Sequence, residues 1–292
     1  MLKEVLYFLN PRPSQNFIDC TFGGGGHSLA ILKLIKPDGK VIGIDWDPNI
    51  IQNQNVYDNN LILINDNYRN LQDIVKRVSK QYGISHIDGI LFDLGLSSDQ
   101  LAAEDRGFGF SKGELDLRFN ISSNSPKAHE LLEYLSEKEI KDILIKYGEE
   151  PFAGAIAKKI VEKRNKGQPI KTASDLAELV TAIYRRRFTK PSKRHPATRV
   201  FQALRIAVND EYGNINFVLP KAIDLLSIGA RLAVITFHSG EDRIVKNIFK
   251  ELALNDTARI KIITKKPITP SVEEIAKNPR ARSAKLRVVE KI

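Results

Sequence analysis

Residues 16–47, NFIDCTFGGGGHSLAILKLIKPDGKVIGIDWD, decide the fold class. NFIDCTF is β-rich, four glycines break it, Leu29, Leu32 and Ile35 recur at helical spacing, and KVIGIDWD is a second apolar run ending in acids. Strand, glycine loop, helix and strand make a βαβ unit, whose two strands lie parallel. LILIND (61–66) and DGILFDLG (88–95) are further apolar runs that end in an acid, separated by a helical stretch over 67–81. The sheet therefore continues, with acids at the carboxyl ends of its strands.

From about residue 104 to 210 the strand–helix alternation stops. Ile140, Ile143, Leu144 and Tyr147 follow a Ser136/Glu139 capping box, Phe152, Ile156 and Ile160 lead to Gly167, and Leu176, Leu179, Val180 and Ile183 mark another helix. GARLAVITF (229–237) resumes the sheet and a helix begins near Glu241. RIKIIT (259–264) and AKLRVVE (284–290) predict an antiparallel pair closing one edge, joined by a long loop over 265–283 that holds Pro267, Pro270 and Pro279. The expected fold is α/β, with residues 1–105 and 210–292 in the sheet domain and residues 106–209 as an inserted helical, substrate-binding domain.

A chain of 292 residues with 42% hydrophobic and 27% charged content folds around its own core. Forty-five Lys+Arg against 35 Asp+Glu leave +10, which points to a polyanionic partner. No run approaches the ~18 apolar residues of a spanning helix, and Leu6 to Leu9 is too short, and too soon followed by Pro11 and Pro13, for a signal peptide. Nucleic acid is thus favoured over membrane. The single cysteine, Cys20, forms neither an internal disulfide nor a Cys-rich zinc site, so a reducing, cytoplasmic location and no metal are expected.

Four segments carry candidate chemistry. FGGGGHS (22–28) lies between strand and helix, where backbone without side chains admits a ligand to the helix N-terminus. Gly23 and Gly25 fit G-x-G-x-x-G but the third position is Ser28, which disfavours a packed pyrophosphate loop. Asp45, 20 residues beyond Gly25, can accept both hydroxyls of a ribose, so a nucleoside cofactor without pyrophosphate fits. Tyr68 follows the third strand, where an adenine would be met, and is otherwise a packing aromatic. DLGLSS (93–98) places Asp93 beside a glycine, Ser97 and Ser98 at the same sheet edge, the position for group-transfer chemistry. RGFGFSKGELDLRF (106–119) offers Phe108 and Phe110 for stacking bases and Arg106 and Arg118 for phosphates, or docks the insert on the sheet. Between Arg185 and Asn209 stand eight Lys/Arg and no acid, among them Arg186, Arg187, Lys193 and Arg199, with His195 at a helix start. This stretch is either an RNA-binding surface or a solvated face.

TFGGGGHS (21–28), GIDWDP (43–48), GILFDLGLSSDQL (89–101), RGFGF (106–110), YGEEPFA (147–153), HPATRVFQALRIAVN (195–209), FHSGEDRIVK (237–246) and NPRARSAKLR (278–287) together resemble one family over nearly the whole chain. It is the MraW family, the S-adenosylmethionine-dependent bacterial ribosomal RNA small subunit methyltransferases H, which modify a cytosine N4 amine in the decoding region of small-subunit (16S) rRNA. The resemblance implies a Rossmann-like class I methyltransferase sheet, S-adenosyl-L-methionine held by Gly25, Gly26, His27, Asp45, Tyr68, Asp93 and Gln100, and small-subunit rRNA or the assembled subunit as partner. Oligomeric state stays open. The family carries Leu where this chain has Gly240, and Pro where it has Glu114. For catalysis, Asp93 with Ser97 and Ser98 as helpers is the expected acceptor for the amine N–H groups, whereas carbon-5 methylation would need a cysteine nucleophile and Cys20 sits in a strand. Two other classes stand beside this one: a non-catalytic RNA-binding ribosome assembly factor and an NAD-linked oxidoreductase, the latter opposed by the missing third glycine.

Overall fold

The computed structural model describes residues 1–52, 58–97, 100–101, 104–110, 113–186, 195–254 and 258–292. The chain divides into two compact units, one of Met1–Leu96 with Tyr212–Ile292 and one of Ser97–Glu211. Residues 97–105 and 210–211 thus fall in the helical unit, whereas the sequence boundaries put them with the sheet.

In the first unit seven strands form one sheet: β1 (Phe17–Asp19), β2 (Val41–Asp45), β3 (Leu61–Asn65), β4 (Gly89–Asp93), β5 (Arg231–Thr236), β6 (Ile260–Ile262) and β7 (Lys285–Lys291). Their order is β3-β2-β1-β4-β5-β7-β6. β1 to β5 pair in parallel, while β7 runs antiparallel to β5 and β6 antiparallel to β7. This is the Rossmann-like α/β sheet expected from the sequence, with the antiparallel pair at one edge.

Near-continuous apolar strands are buried on both faces, and successive residues go to opposite layers. Ile18, Ile42, Ile90, Phe92, Leu232 and Val234 pack on one face against α4 (Leu71–Tyr82), α10 (Glu211–Leu225) and α11 (Ser239–Leu252). Their neighbours Phe17, Val41, Leu91, Ala233 and Ile235 pack on the other, against α1 (Leu2–Leu9) and α2 (Gly26–Ile35). The strand order reverses between β1 and β4, and open α/β sheets bind ligands at the carboxyl ends beside such a reversal.

Two segments hold elements that the sequence reading did not assign. Residues 2–9 form a helix, and the expected loop 265–283 contains α12 (Val272–Lys277) and a 3-10 turn over Pro279–Ser283. α12 buries none of its residues, so it leaves no apolar periodicity to read. The signal present was Ser271, whose hydroxyl accepts the Glu274 N–H at 3.2 Å.

The helical unit holds α5 (Ala128–Tyr134), α6 (Glu137–Gly148), α7 (Ala153–Asn165), α8 (Ala173–Arg185) and α9 (Thr198–Asn209). The Ser136/Glu139 capping box opens α6 as expected. Its core includes Leu131, Ile140, Leu144, Ile156, Ile160, Leu176, Val200 and Leu204. Asn209, at the end of α9, accepts the Phe119 N–H at 2.7 Å and donates to the Leu117 carbonyl at 2.7 Å, holding a turn in which Leu117 has φ 63°.

α6 lies against α9 at Gly148, where a Cβ would stand 2.6 Å from the Arg199 carbonyl oxygen. Gly148→Ala is therefore expected to destabilise the helical unit by about 1–3 kcal/mol through overpacking. Urea unfolding followed by hydrogen exchange checks it, with the loss of protection greatest over residues 137–148 and 198–209.

Candidate active site

Strands β2, β1 and β4 lie side by side and each ends in an aspartate: Asp45, Asp19 and Asp93. Asp19 is sealed from solvent. Its Oδ2 accepts the Ser28 hydroxyl at 2.8 Å, which ties the first turn of α2 to β1. Its Oδ1 accepts the Thr21 N–H at 3.2 Å and the Thr21 hydroxyl at 3.4 Å, and that hydroxyl oxygen in turn accepts the Asp93 N–H at 2.6 Å. Burial raises the Asp19 carboxyl above the usual range against the lowering effect of these donors.

Between them runs the glycine loop. Gly25 takes φ 74° as the N-cap of α2, and any Cβ there would meet the Phe22 ring at 2.8 Å. At Gly24 and Gly26 a Cβ would meet nothing within 4 Å, so this side of the loop is open to a ligand. Asp45 holds the loop from β2: Oδ2 accepts the Gly23 N–H and Oδ1 the Asp47 N–H, both at 2.9 Å. Burial, with the neighbouring Asp47 and Asp19, still pushes its carboxyl up to about 6.

Asp93 is pushed up to about 7, because burial and then the Asp19 charge, with Glu241 adding to it, oppose its ionisation. Its Oδ1 is sealed with no hydrogen-bond partner among the described residues. Its Oδ2 lies 3.5 Å from Nδ1 of His27. Burial lowers the His27 imidazole to about 4, so the ring is neutral at physiological pH. Tyr68 packs edge-on to Phe92 with ring centroids 5.6 Å apart. Cys20 is buried and its thiol pushed well up by burial, which leaves it no nucleophilic role.

A fourth acid, missed by the sequence reading, completes this edge. Glu241 is 1% exposed, and its Oε2 accepts the Phe237 N–H at 2.8 Å and the His238 N–H at 3.4 Å. His238 caps α11 through Nδ1 and sets Nε2 3.1 Å from Glu241 Oε1. FHSGEDR was visible as a string, but neither charge nor periodicity marked its acid as buried. Asp19 was likewise quoted only as part of a strand.

Residues 1–292 match the family described as the MraW methylase family. The chain belongs to that family and is a methyltransferase. Among its relatives, the "Ribosomal RNA small subunit methyltransferase H" proteins of Thermomicrobium roseum, Heliobacterium mobile and Dictyoglomus thermophilum are each 44% identical to it. Each alignment spans all of this chain and, respectively, 92%, 97% and 95% of the relative.

The sheet unit thus brings together Gly25, Gly26, His27, Asp45, Tyr68 and Asp93. Ser97 and Gln100 open the helical unit, where they cap one another: the Ser97 hydroxyl accepts the Gln100 N–H and Gln100 Oε1 the Ser97 N–H, both at 3.1 Å. The Ser97 hydroxyl oxygen thus accepts one N–H and keeps its own O–H to donate. Ser98, Arg187 and Lys193 lie outside the described residues.

The expectation that Arg106, Phe108 and Arg118 face an RNA is corrected, because the helical unit uses all three internally. Arg106 donates to the Arg118 and Phe119 carbonyls at 2.8 and 2.7 Å, and Arg118 grips Asp116 with two bonds of 2.6 and 2.9 Å. Phe108 is buried and stacks on Phe119. Phe110 stacks on the exposed His195 at 4.1 Å. Arg186 and Arg199 are exposed, Arg199 donating to the Glu149 carbonyl at 3.1 Å. Among the described residues no helix is long and apolar enough to cross a membrane.

The raised carboxyl of Asp93 fixes the sign of a stability effect. A carboxyl at about 7 in the folded state, against about 3.9 unfolded, favours folding while protonated and loses that contribution as pH rises through about 7. Asp93→Asn is therefore expected to raise the thermal midpoint at pH 8 and to leave it unchanged near pH 4, as read by calorimetry of the ligand-free protein.

Proposed function

We propose that this methyltransferase moves a methyl group from S-adenosyl-L-methionine to the N4 amine of a cytosine in the decoding region of small-subunit rRNA, in the cytoplasm. The observation that carries the choice of donor is the acidic edge. Asp45, Asp19, Asp93 and Glu241 end or follow four adjacent strands, and Asp19 and Glu241 both oppose the ionisation of Asp93. Such an edge attracts a ligand with net positive charge and repels a pyrophosphate. A sulfonium donor fits this charge, whereas an NAD cofactor does not.

The residues present fit that donor. The open side of Gly24 and Gly26 gives room beside the α2 N-terminus, and each Asp45 oxygen keeps a lone pair for a ribose hydroxyl after accepting one N–H. When bound, the donor supplies an electrophilic methyl group for in-line displacement. Tyr68 flanks the adenine position. His27, neutral beside Asp93, adds no positive charge to compete with the donor.

Asp93 acts on the acceptor. The cytosine amine is a poor nucleophile while its lone pair conjugates with the ring. A carboxylate that accepts its N–H draws the nitrogen towards tetrahedral geometry and stabilises the positive charge that develops. With a carboxyl near 7, the same group is matched to take up the proton released after transfer. The target base leaves its stack to reach this site. The helical unit, with Arg186, Arg199, His195 and Phe110 on its surface, holds the RNA, while Gln100 and Ser97 shape the loop that follows β4.

Methyl transfer from labelled donor to small-subunit rRNA, with mapping of the modified base, tests the reading. N4-methylcytosine in the decoding region is expected, and RNA binding without transfer would instead make the protein an assembly factor. Asp45→Ala is expected to weaken donor binding by about 1.5–3 kcal/mol per lost hydrogen bond. Asp93→Asn at saturating donor should cut turnover by about a hundredfold with RNA affinity retained. In the wild type, turnover should rise with pH through about 7, as Asp93 ionises.

A further inference from the structure

The helical unit contains a cleft of about 340 Å³ between the C-terminal halves of α7 and α8. Its floor is apolar, made by Leu179 and Ile183, and its rim carries Lys159, Lys163, Lys166 and Arg186 against one carboxylate, Glu162.

Cations in the last turns of helices are ordinary complements to the helix dipole, and one cation of α7 serves the fold in a related way. Arg164 donates to the carbonyls of Leu132, Glu133 and Leu135 at 3.1, 2.8 and 2.8 Å, closing the end of α5. Lys159 is paired with Glu162 at 3.0 Å. Lys163, Lys166 and Arg186 differ from both. They make no side-chain hydrogen bond and no ion pair among the described residues, yet they border the same apolar floor. Lys166 also acts on the Glu162 carboxylate, but four cations against that one acid leave the rim net positive around an apolar surface that water must wet. Both costs are relieved by a ligand that is flat and apolar at its centre and anionic on either side.

A nucleotide in a single strand has that form. We propose that this cleft binds single-stranded RNA, with one base seated over Leu179 and Ile183 and flanking phosphates held by Lys163, Lys166 and Arg186. Arg186 also belongs to the acid-free stretch 185–209, which links the cleft in sequence to that run of cations. The proposal rests on the reading that the substrate is rRNA and adds a contact which positions the strand without reading its sequence.

The full-length protein tests it with a fluorescein-labelled oligouridylate titrated over a series of salt concentrations. Lys163→Gln with Lys166→Gln is expected to weaken binding and to flatten the plot of log affinity against log salt by about 0.7 for each lost phosphate contact. With small-subunit rRNA as methyl acceptor, the same variant should show a raised KM and an unchanged kcat. Lys138→Gln, an exposed lysine of α6 outside the cleft, should leave the slope as it is. Photocrosslinking with 4-thiouridine RNA should label peptides spanning 159–168 and 179–186. A wild-type slope and KM in the double variant would overturn the proposal and leave the cleft to an acidic protein surface. An equal flattening in Lys138→Gln would overturn it too, since general basicity would then suffice. If the wild type transfers no methyl to rRNA, the functional reading itself fails; if it does and only the cleft variants are silent, this proposal fails alone.

Discussion

The buried carboxylate of Asp19 holds two strand ends and a helix in register. One oxygen fixes the start of α2 through Ser28, and the other fixes Thr21, whose hydroxyl receives the backbone N–H of Asp93. Burying a charge costs several kcal/mol unless it is well bonded, and Asp19 collects three donors to offset that cost. Its electrostatic effect follows from the same placement. Burial raises both of its neighbours, to about 6 at Asp45 and about 7 at Asp93, and the Asp19 charge adds to that effect. Geometry and part of the charge at the candidate site thus share one origin.

The sheet was legible because its signals are local. Apolar runs ending in acids, a glycine break and a helical repeat fall within the first 95 residues, and strand direction follows from connection length. Asp45 could be read from its distance to the glycine loop. The role of a charged residue could not be read in the same way, since sequence reports a charge but not its partner. Arg106 and Arg118 look the same in sequence as Arg186, yet two are locked onto carbonyls and a carboxylate while the third is exposed. Glu241 presents the converse case, an acid that in sequence only begins a helix and in the structure is sealed beneath that helix's N-terminus.

A net charge of +10 conceals two opposite electrostatic characters. The carboxyl edge of the sheet unit is acidic, and the excess of cations is concentrated elsewhere, conspicuously in residues 185–209 and around the cleft on α7 and α8. A cationic methyl donor and a polyanionic acceptor need such separation. A uniformly basic enzyme would repel the first, and a uniformly acidic one the second.

Gly240 sits in the turn that buries Glu241, and a Cβ there would come within 1.8 Å of the Tyr212 hydroxyl oxygen. Tyr212 therefore occupies the volume that a side chain at position 240 would claim, and its ring lies 6.0 Å from that of His238. The two positions compete for one space: a larger side chain at 240 requires the Tyr212 ring to move, so substitutions at 240 and 212 are coupled rather than additive.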